Sequence, residues 1–393
     1  MSKKKICFVC QRYGLEVNGG AELQCRLFAE HLVPFYDVRV MTTCAIDYIT
    51  WKNEYPEGEE MLNGVQVSRF RVERERDMAV FSQICLEALS GRPVSPETER
   101  AFFWEQGPVC RELVAYLWAN YTQFQAVLFS TYLYYTTAMA LPGMPNALFI
   151  PEAHDEPAIY LPVFEKVFRS PRGFLFNTEE ERLFVQKKFG IEHIPWEICG
   201  IGISAPKEQT LPDVRQSFGL KRPYLLYLGR IDESKNCGVL LEFFSRFLEE
   251  SGAQLDLVLA GKVNMPLEEQ EHVRSLGFVS EEEKYALLAQ ARGLVLASEF
   301  ESLSMVVLES MAMGRPVLVN GKCAVLRAHC QKSGAGLAFE SYEQFAQGLA
   351  FLAQDSLEYG QMCGRAREYV KKHYSWPTII EKMRGMIERV SPQ

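Results

Sequence analysis

The 393 residues contain no Asp-x-Asp pair, no G-x-G-x-x-G turn, and no apolar run near membrane-spanning length. Each absence excludes something. Without paired aspartates, no carboxylate cluster is evident to hold Mg²⁺ on a diphosphate. Without the glycine fingerprint and a ribose-binding acid after it, a dinucleotide-dependent oxidoreductase is disfavoured. A spanning helix needs about 20 apolar residues, and the nearest candidate, Thr131 to Met144, is broken by threonines, Pro142 and Gly143. Gln11 and Arg12 cut the first apolar run too short for a signal peptide, and Lys3-Lys4-Lys5 is too brief to anchor the chain. Cysteine forms no framework: the count is eleven, an odd number, with no second C-x-x-C to join Cys7-x-x-Cys10 in a zinc site. A reduced, cytoplasmic interior is expected, with Cys7 and Cys10 as small buried hydrophobes. The net charge is −8 and no basic stripe interleaves with aromatics, which speaks against nucleic acid as a partner. Internal repeats and low-complexity tracts are absent too.

What the chain has is ordinary globular composition, 48% hydrophobic and 23% charged, at a length sufficient for two domains. Apolar strand-like runs alternate with helical segments throughout, the pattern of an α/β protein. A polar, proline-containing stretch from Ile203 to Arg222 precedes a strong strand at Tyr224, so domains of 1–203 and 204–372 are expected, with a terminal segment 373–393. Glu192 to Gly202 is read as the last strand and turn of the first domain. Phe70 to Val109 is charged and irregular, either an acceptor-side insertion or a solvated helix pair.

The most informative stretch is Ser298 to Asn320, SEFESLSMVVLESMAMGRPVLVN. Leu294 to Ala297 reads as a strand, then a loop, then a helix with Met305, Leu308 and Met311 at helical spacing. Gly314 and Pro316 stop that helix, and Pro316 to Val319 forms the next strand. Ser302 and Ser304 suit the N-cap position, where a side-chain oxygen accepts from free backbone N–H groups. The loop lies at the carboxyl end of a parallel strand, where open α/β sheets bind ligands. Glu301 precedes the helix and Glu309 lies two turns inside it, roughly 10 Å away at about 1.5 Å per residue. Between them the helix N-terminus around Ser304 and Met305 offers N–H groups to an anion. Carboxylate, anion site, carboxylate fits a nucleotide sugar: sugar hydroxyls, diphosphate, ribose hydroxyls. Upstream, YLLYLGRIDESKN (224–236) places Gly229, Arg230 and Lys235 just beyond a strand, where both cations are read as phosphate clamps.

Strand-Gly-Arg-x4-Lys, then Gly277-Phe278-Val279 before an acidic helix, then E-x7-E and Gly-x-Pro-Val resemble the donor-binding half of the retaining glycosyltransferases of family 4. The resemblance runs over nearly the whole chain, and E-x7-E is its most specific part. It implies the GT-B architecture: two Rossmann-like parallel-sheet domains facing across a cleft, with a terminal helix (373–393) crossing back to the first.

The same resemblance assigns roles. Glu309 would accept from ribose hydroxyls and Glu301, rather than Glu299, from the donor sugar. Backbone around Phe278 and Val279 would read the base. Gly19 and Gly20, at a strand-to-helix turn before a helix with Leu23, Leu27 and Leu32 inward, would touch phosphate or acceptor. His154, after a strand at Phe149–Ile150, would position the sugar, with Asp155 either orienting its ring or capping the next helix. Thr178 is expected as an N-cap. Leu303 and Ser304 replace the Phe-Gly common after the first glutamate, which alters the sugar pocket. The expected reaction is metal-independent transfer of a hexose from a nucleotide-diphosphate sugar, UDP-hexose over GDP- or ADP-linked sugars. Configuration would be retained and the leaving phosphate would take the acceptor's proton. The acceptor is expected to be a glycan, lipid-linked or other hydroxyl compound in polysaccharide or glycoconjugate synthesis, reached at the inner membrane face by peripheral contact. Two alternatives stand beside it: a nucleotide-sugar epimerase of the same fold, and a non-catalytic sugar-nucleotide-binding protein.

Overall fold

The computed structural model describes residues 3–17 and 19–391. The chain divides into two compact units, Met1–Ile201 with Pro377–Gln393, and Gly202–Trp376. Among the described residues, no helix is long and apolar enough to cross a membrane.

The first unit is built on eight strands: β1 (Lys5–Val9), β2 (Asp37–Thr43), β3 (Gly58–Leu62), β4 (Val65–Phe70), β5 (Ala126–Ser130), β6 (Ala147–Ile150), β7 (Gly173–Phe176) and β8 (Trp196–Ile198). Their spatial order is β3-β4-β2-β1-β5-β6-β7-β8, parallel throughout except for the β3–β4 pair. Strands covered on both faces need apolar side chains at every position. Accordingly Ile6 to Val9, Val127 to Phe129 and Leu148 to Phe149 are fully buried. The β3 edge, GEEML, exposes Glu59 and Glu60, and such charges blunt edge-to-edge pairing. Cys7 and Cys10 are buried free thiols, and burial pushes the Cys7 thiol up.

The helix Gly20–Leu32 follows β1. Its buried stripe is Cys25, Phe28, Ala29 and Leu32, whereas Leu23 and Leu27 are only half-buried. Leu32 faces inward as expected, but the stripe is shifted away from Leu23 and Leu27, because Glu22 is drawn inside by Arg12, as described below. Thr178 caps the helix Glu179–Phe189, its side chain accepting from Glu181 N. Residues 70–109 contain two helices, Met78–Ala88 and Pro96–Gln106, joined in part through Phe81 and Phe102 with ring centroids 6.4 Å apart. Leu86, Met78 and Val80 remain exposed there.

The last helix, Trp376–Val390, buries Ile379, Met383, Met386 and Ile387. It packs on the first sheet: a Cβ on Gly173 would lie 2.8 Å from Met386 Cε and 3.2 Å from Val390 Cγ1. Lys382 Nζ donates to Ile198 O at 2.6 Å, and Gln125 Nε2 to Ser391 Oγ at 2.6 Å.

The second unit holds β9 (Tyr224–Leu228), β10 (Asp256–Ala260), β11 (Val273–Gly277), β12 (Gly293–Leu296), β13 (Val317–Asn320) and β14 (Gly336–Phe339). All neighbours are parallel, in the order β11-β10-β9-β12-β13-β14. The chain builds outward from β9 through β10 to β11, then returns to the other side of β9 with β12. That reversal leaves the loops after β9 and β12 diverging at a topological switch point, the place where such sheets bind ligands. In the first unit the corresponding reversal lies between β1 and β5.

Candidate functional site

The loop after β9 begins at Gly229 and carries Arg230 and Lys235. Asp232 organises it: its side chain accepts from Lys235 N at 3.1 Å and Ser234 Oγ at 2.6 Å, and lies 3.4 Å from Arg230 Nη1. Tyr227 Oη donates to Arg230 O at 2.6 Å. Lys235 then reaches over to the loop after β12, where its Nζ donates to Glu301 Oε1 at 2.8 Å. Asn236, at the end of the loop after β9, and Asn320, at the end of β13, both donate to Ala297 O, at 3.2 and 2.9 Å, fastening the end of β12. Arg230 has a side chain 44% exposed and therefore open to solvent. Glu299, the glutamate passed over, sits 3.6 Å from Lys322.

Leu303 is buried, and its carbonyl accepts from His329 Nε2 at 2.9 Å. Ser304 occupies the N-cap of the helix Met305–Ala312, with φ of 64° and no side-chain cap hydrogen bond. The N-cap expectation therefore holds for position and fails for chemistry. A left-handed serine cannot aim its hydroxyl at N2 or N3 as an extended N-cap does. The Ser304 Oγ and the Ser298 Oγ are both buried without a hydrogen-bond partner. A strained non-glycine backbone at Ser304, whose own hydroxyl is orphaned, marks a place that the fold holds against a local cost.

Glu309 lies on the same helix, 5% exposed, accepting from Lys284 Nζ at 2.7 Å. Lys284 belongs to the helix Glu281–Gln290, whose start is fixed by a capping box between Ser280 and Glu283. Burial pushes the Glu309 carboxyl above its ordinary range, against the pull of Lys284. Lys284 is itself held above its usual value, since Glu309 and Glu281 outweigh the effect of its own burial. Just ahead of this helix, Phe278 is 71% exposed and Val279 half-buried, beyond Gly277 at the end of β11.

In the first unit, Gly19 is the N-cap of the helix Gly20–Leu32, with extended backbone. A Cβ there would lie 2.1 Å from Glu22 Oε2, while a Cβ on Gly20 would meet nothing within 4 Å. Glu22 Oε1 accepts from Arg12 Nη2 at 2.5 Å and from Gln11 Nε2 at 2.8 Å, all three residues being buried. At the end of β6, Glu152 takes φ of 54°, and Thr131 at the end of β5 takes φ of 67°. Ser130 Oγ donates to Glu152 Oε1 at 2.9 Å. Burial pushes the Glu152 carboxyl up to about 8, with Glu22 and Glu181 adding to the rise. His154 Nε2 lies 3.4 Å from Glu156 Oε2, and Tyr132 Oη donates to the other oxygen of Glu156. Burial opposes ionisation of Glu156, but the His154 contact prevails and holds its carboxyl below the ordinary value. Asp155 instead accepts from Tyr160 Oη at 2.6 Å.

The structure thus gathers Arg230, Lys235 and Glu301 in one pair of loops, with Ser304 and Met305 at the following helix start. Glu309 lies deeper in that helix. Gly19, Gly20 and His154 lie in the other unit. Residues to which the sequence gave no role, Lys284, Glu156, Asn236 and Asn320, hold the motif residues in place. Only the Lys284 position carried a sequence signal, an acidic helix start with one cation inside it.

Two parallel-sheet units with ligand loops at the switch points define a GT-B protein. Sucrose-phosphate synthase from Thermosynechococcus elongatus has this fold, with a TM-score of 0.71 at 14% identity, covering 99% of each chain. So does Anabaena HepE in complex with UDP and glucose, with a TM-score of 0.68 at 14% identity, covering 98% of this chain and 100% of that one. Residues 212–373 match the family model Glycosyl transferases group 1. Mannosylfructose-phosphate synthase of Agrobacterium fabrum is 26% identical over 200 residues, which is 46% of this chain and 44% of that protein. The chain spans about half or less of the length of the curated relatives it matches.

Proposed function

We propose that this protein is a retaining, family 4-type glycosyltransferase that moves a hexose from a nucleotide-diphosphate sugar, UDP-glucose or a close analogue, to a hydroxyl acceptor. The observation that carries the reading is the 2.8 Å bridge between Lys235 and Glu301 at the second unit's switch point. A cation for the diphosphate and an acceptor for sugar hydroxyls lie side by side there, next to a helix N-terminus. Glu309 takes the ribose hydroxyls, and the backbone of Phe278 and Val279 meets the base. His154 positions the sugar, and Gly20 gives the acceptor or phosphate open access to backbone. The presence of UDP and glucose in the HepE complex supports the choice of donor.

In the reaction the acceptor hydroxyl oxygen bonds to the anomeric carbon as the bond from that carbon to the diphosphate oxygen breaks. The same phosphate oxygen takes the hydroxyl proton on the same face. Arg230, Lys235 and the helix N–H groups stabilise the charge that develops on the diphosphate, the role in which one donor is worth ~10²–10³ in turnover. These cations perform the neutralisation that a divalent ion performs elsewhere, so no metal is required.

Two measurements test the reading. In a thermal-shift panel of nucleotide sugars, a donor at 100 times its dissociation constant adds about 2.7 kcal/mol of apparent stability. Release of UDP from UDP-glucose, followed with EDTA and then with added Mg²⁺, should be unaffected by the chelator. Loss with EDTA and recovery with Mg²⁺ defeats the metal-independent mechanism. Donor binding without any release or transfer defeats the enzyme.

A further inference from the structure

Glu181 is a buried acid to which the reading above gives no task. It lies in the first turn of the helix Glu179–Phe189, a common place for an acid because the helix end is positive. An acid there can serve the helix dipole from solvent, as Glu179 and Glu180 are placed to do. Glu181 is instead 2% exposed. Its two oxygens serve two other segments: Oε1 accepts from Ala153 N and Oε2 from Asn177 N, each at 2.6 Å. Ala153 immediately precedes His154. Asn177 follows β7, and its side-chain oxygen accepts from Gln24 Nε2 at 2.6 Å, on the helix that starts at Gly20. One carboxyl group therefore ties together the His154 loop, the end of β7 and, through Asn177, the helix behind Gly19 and Gly20. The loop it grips is strained, since Glu152 stands at φ of 54°, and strained backbone persists only where surrounding contacts over-determine it. Burial pushes the Glu181 carboxyl up to about 8, a cost the fold carries for this bridge.

We propose that Glu181 is a positioning residue for His154, clamping the 151–156 loop through the Ala153 N–H so that the imidazole is held in its working place. This rests on the reading of His154 as the sugar-positioning residue. The clamp needs an acceptor on both sides of the side chain. Glu181→Gln keeps the shape but turns an amide donor toward one of the two N–H groups. Glu181→Asp keeps the carboxyl group but is one methylene too short to reach both.

The test is a double-substitution cycle on the full chain with two readouts. Turnover of UDP-glucose is measured for Glu181→Gln, Glu181→Asp, His154→Ala and the combined variants, beside their melting temperatures. Each single change should lower turnover, on the order of 10²-fold for a displaced positioning group. The combined variants should be little worse than His154→Ala alone, because the clamp acts only through that side chain. Imidazole NMR resonances of His154 should also move in both Glu181 variants. Additive losses in the cycle, or unmoved His154 resonances in a folded variant, overturn the proposal. If the wild-type protein turns over no donor, the proposed function fails instead, and the NMR readout alone decides the clamp.

Discussion

Lys235 Nζ donates to Glu301 Oε1 at 2.8 Å, closing a bridge between the loops after β9 and β12 over 66 residues of sequence. Both side chains are largely shielded, 25% and 17% exposed, so the pair is less screened than a surface ion pair. A donor entering this site would exchange the pair's mutual contact for its own: phosphate oxygens for Lys235, sugar hydroxyls for Glu301.

Lys235→Ala should therefore lower turnover far more than nucleotide affinity. The expected loss is ~10²–10³-fold in kcat, with UDP binding by calorimetry changed much less. The proton balance of the reaction is untouched, so the pH profile should keep its shape. Near-normal kcat in this variant removes the clamp from the mechanism.

The Lys284–Glu309 pair makes a different prediction, because it is more deeply buried. Lys284→Met leaves a carboxyl with no cation at a 5% exposed position, and breaking such a pair costs roughly 3 kcal/mol. The folded value of Glu309 is already raised by burial and rises further without Lys284. A raised folded carboxyl binds its proton more tightly than the unfolded chain does, so stability falls as pH climbs above the ordinary carboxylate range. Urea melts should thus show a deficit that is larger at pH 8 than at pH 5. Glu309→Gln, in contrast, should chiefly weaken free-nucleotide binding.

Glu152 allows the same logic to be checked in the first unit. Its folded carboxyl stands at about 8, so it stays mostly protonated at neutral pH and opposes folding progressively as pH rises from the ordinary range to about 8. Each pH unit in that window is worth at most about 1.4 kcal/mol. Glu152→Gln keeps an oxygen for Ser130 and removes the titration. Relative to wild type, this variant should gain stability from pH 5 to pH 8 and no further above it. Parallel stability curves would show that Glu152 is ionised in the folded protein.

How much of this was legible in sequence depended on range. The strand-loop-helix-strand unit from 293 to 320 could be read because apolar strands, a 3.6-residue spacing and Gly-x-Pro punctuation are all local signals. The reversal that places Glu301 beside Lys235 could only be inferred from resemblance, since it depends on strand order. Ser304 shows the limit of capping rules: they match a side chain to a position but do not foresee a left-handed entry to the helix. In the helix Gly20–Leu32 the leucine spacing found the buried Leu32 but not the centre of the inner stripe, which the buried Arg12–Glu22 pair shifts toward Cys25 and Phe28 and away from Leu23 and Leu27. Glu156 and Glu181 gave no signal at all. Their partners are set by how the loops at the ends of β5, β6 and β7 converge.

Gly261 is a similar case of information held in strand neighbours rather than in local pattern. It follows β10 with φ of 146°, and a Cβ there would lie 1.9 Å from Gly229 O and 2.7 Å from Gly229 C. Those are backbone atoms, so nothing can swing aside; the Gly229–Arg230 peptide itself would have to move. Gly261 is also held in place, donating to Gly277 O at 2.7 Å, while Gly229 N donates to Ala260 O at 3.0 Å. Gly277 provides the control, since it is left-handed at φ of 67° but a Cβ there meets nothing within 4 Å. Gly277→Ala should cost only the backbone penalty, about 1 kcal/mol, with turnover nearly intact. Gly261→Ala should cost distinctly more and, even where the protein still folds, should lower kcat by displacing Arg230. Melting temperatures and kcat for the two variants check this together. Equal effects from both would mean that the contact between the ends of β9 and β10 does not set the position of Arg230.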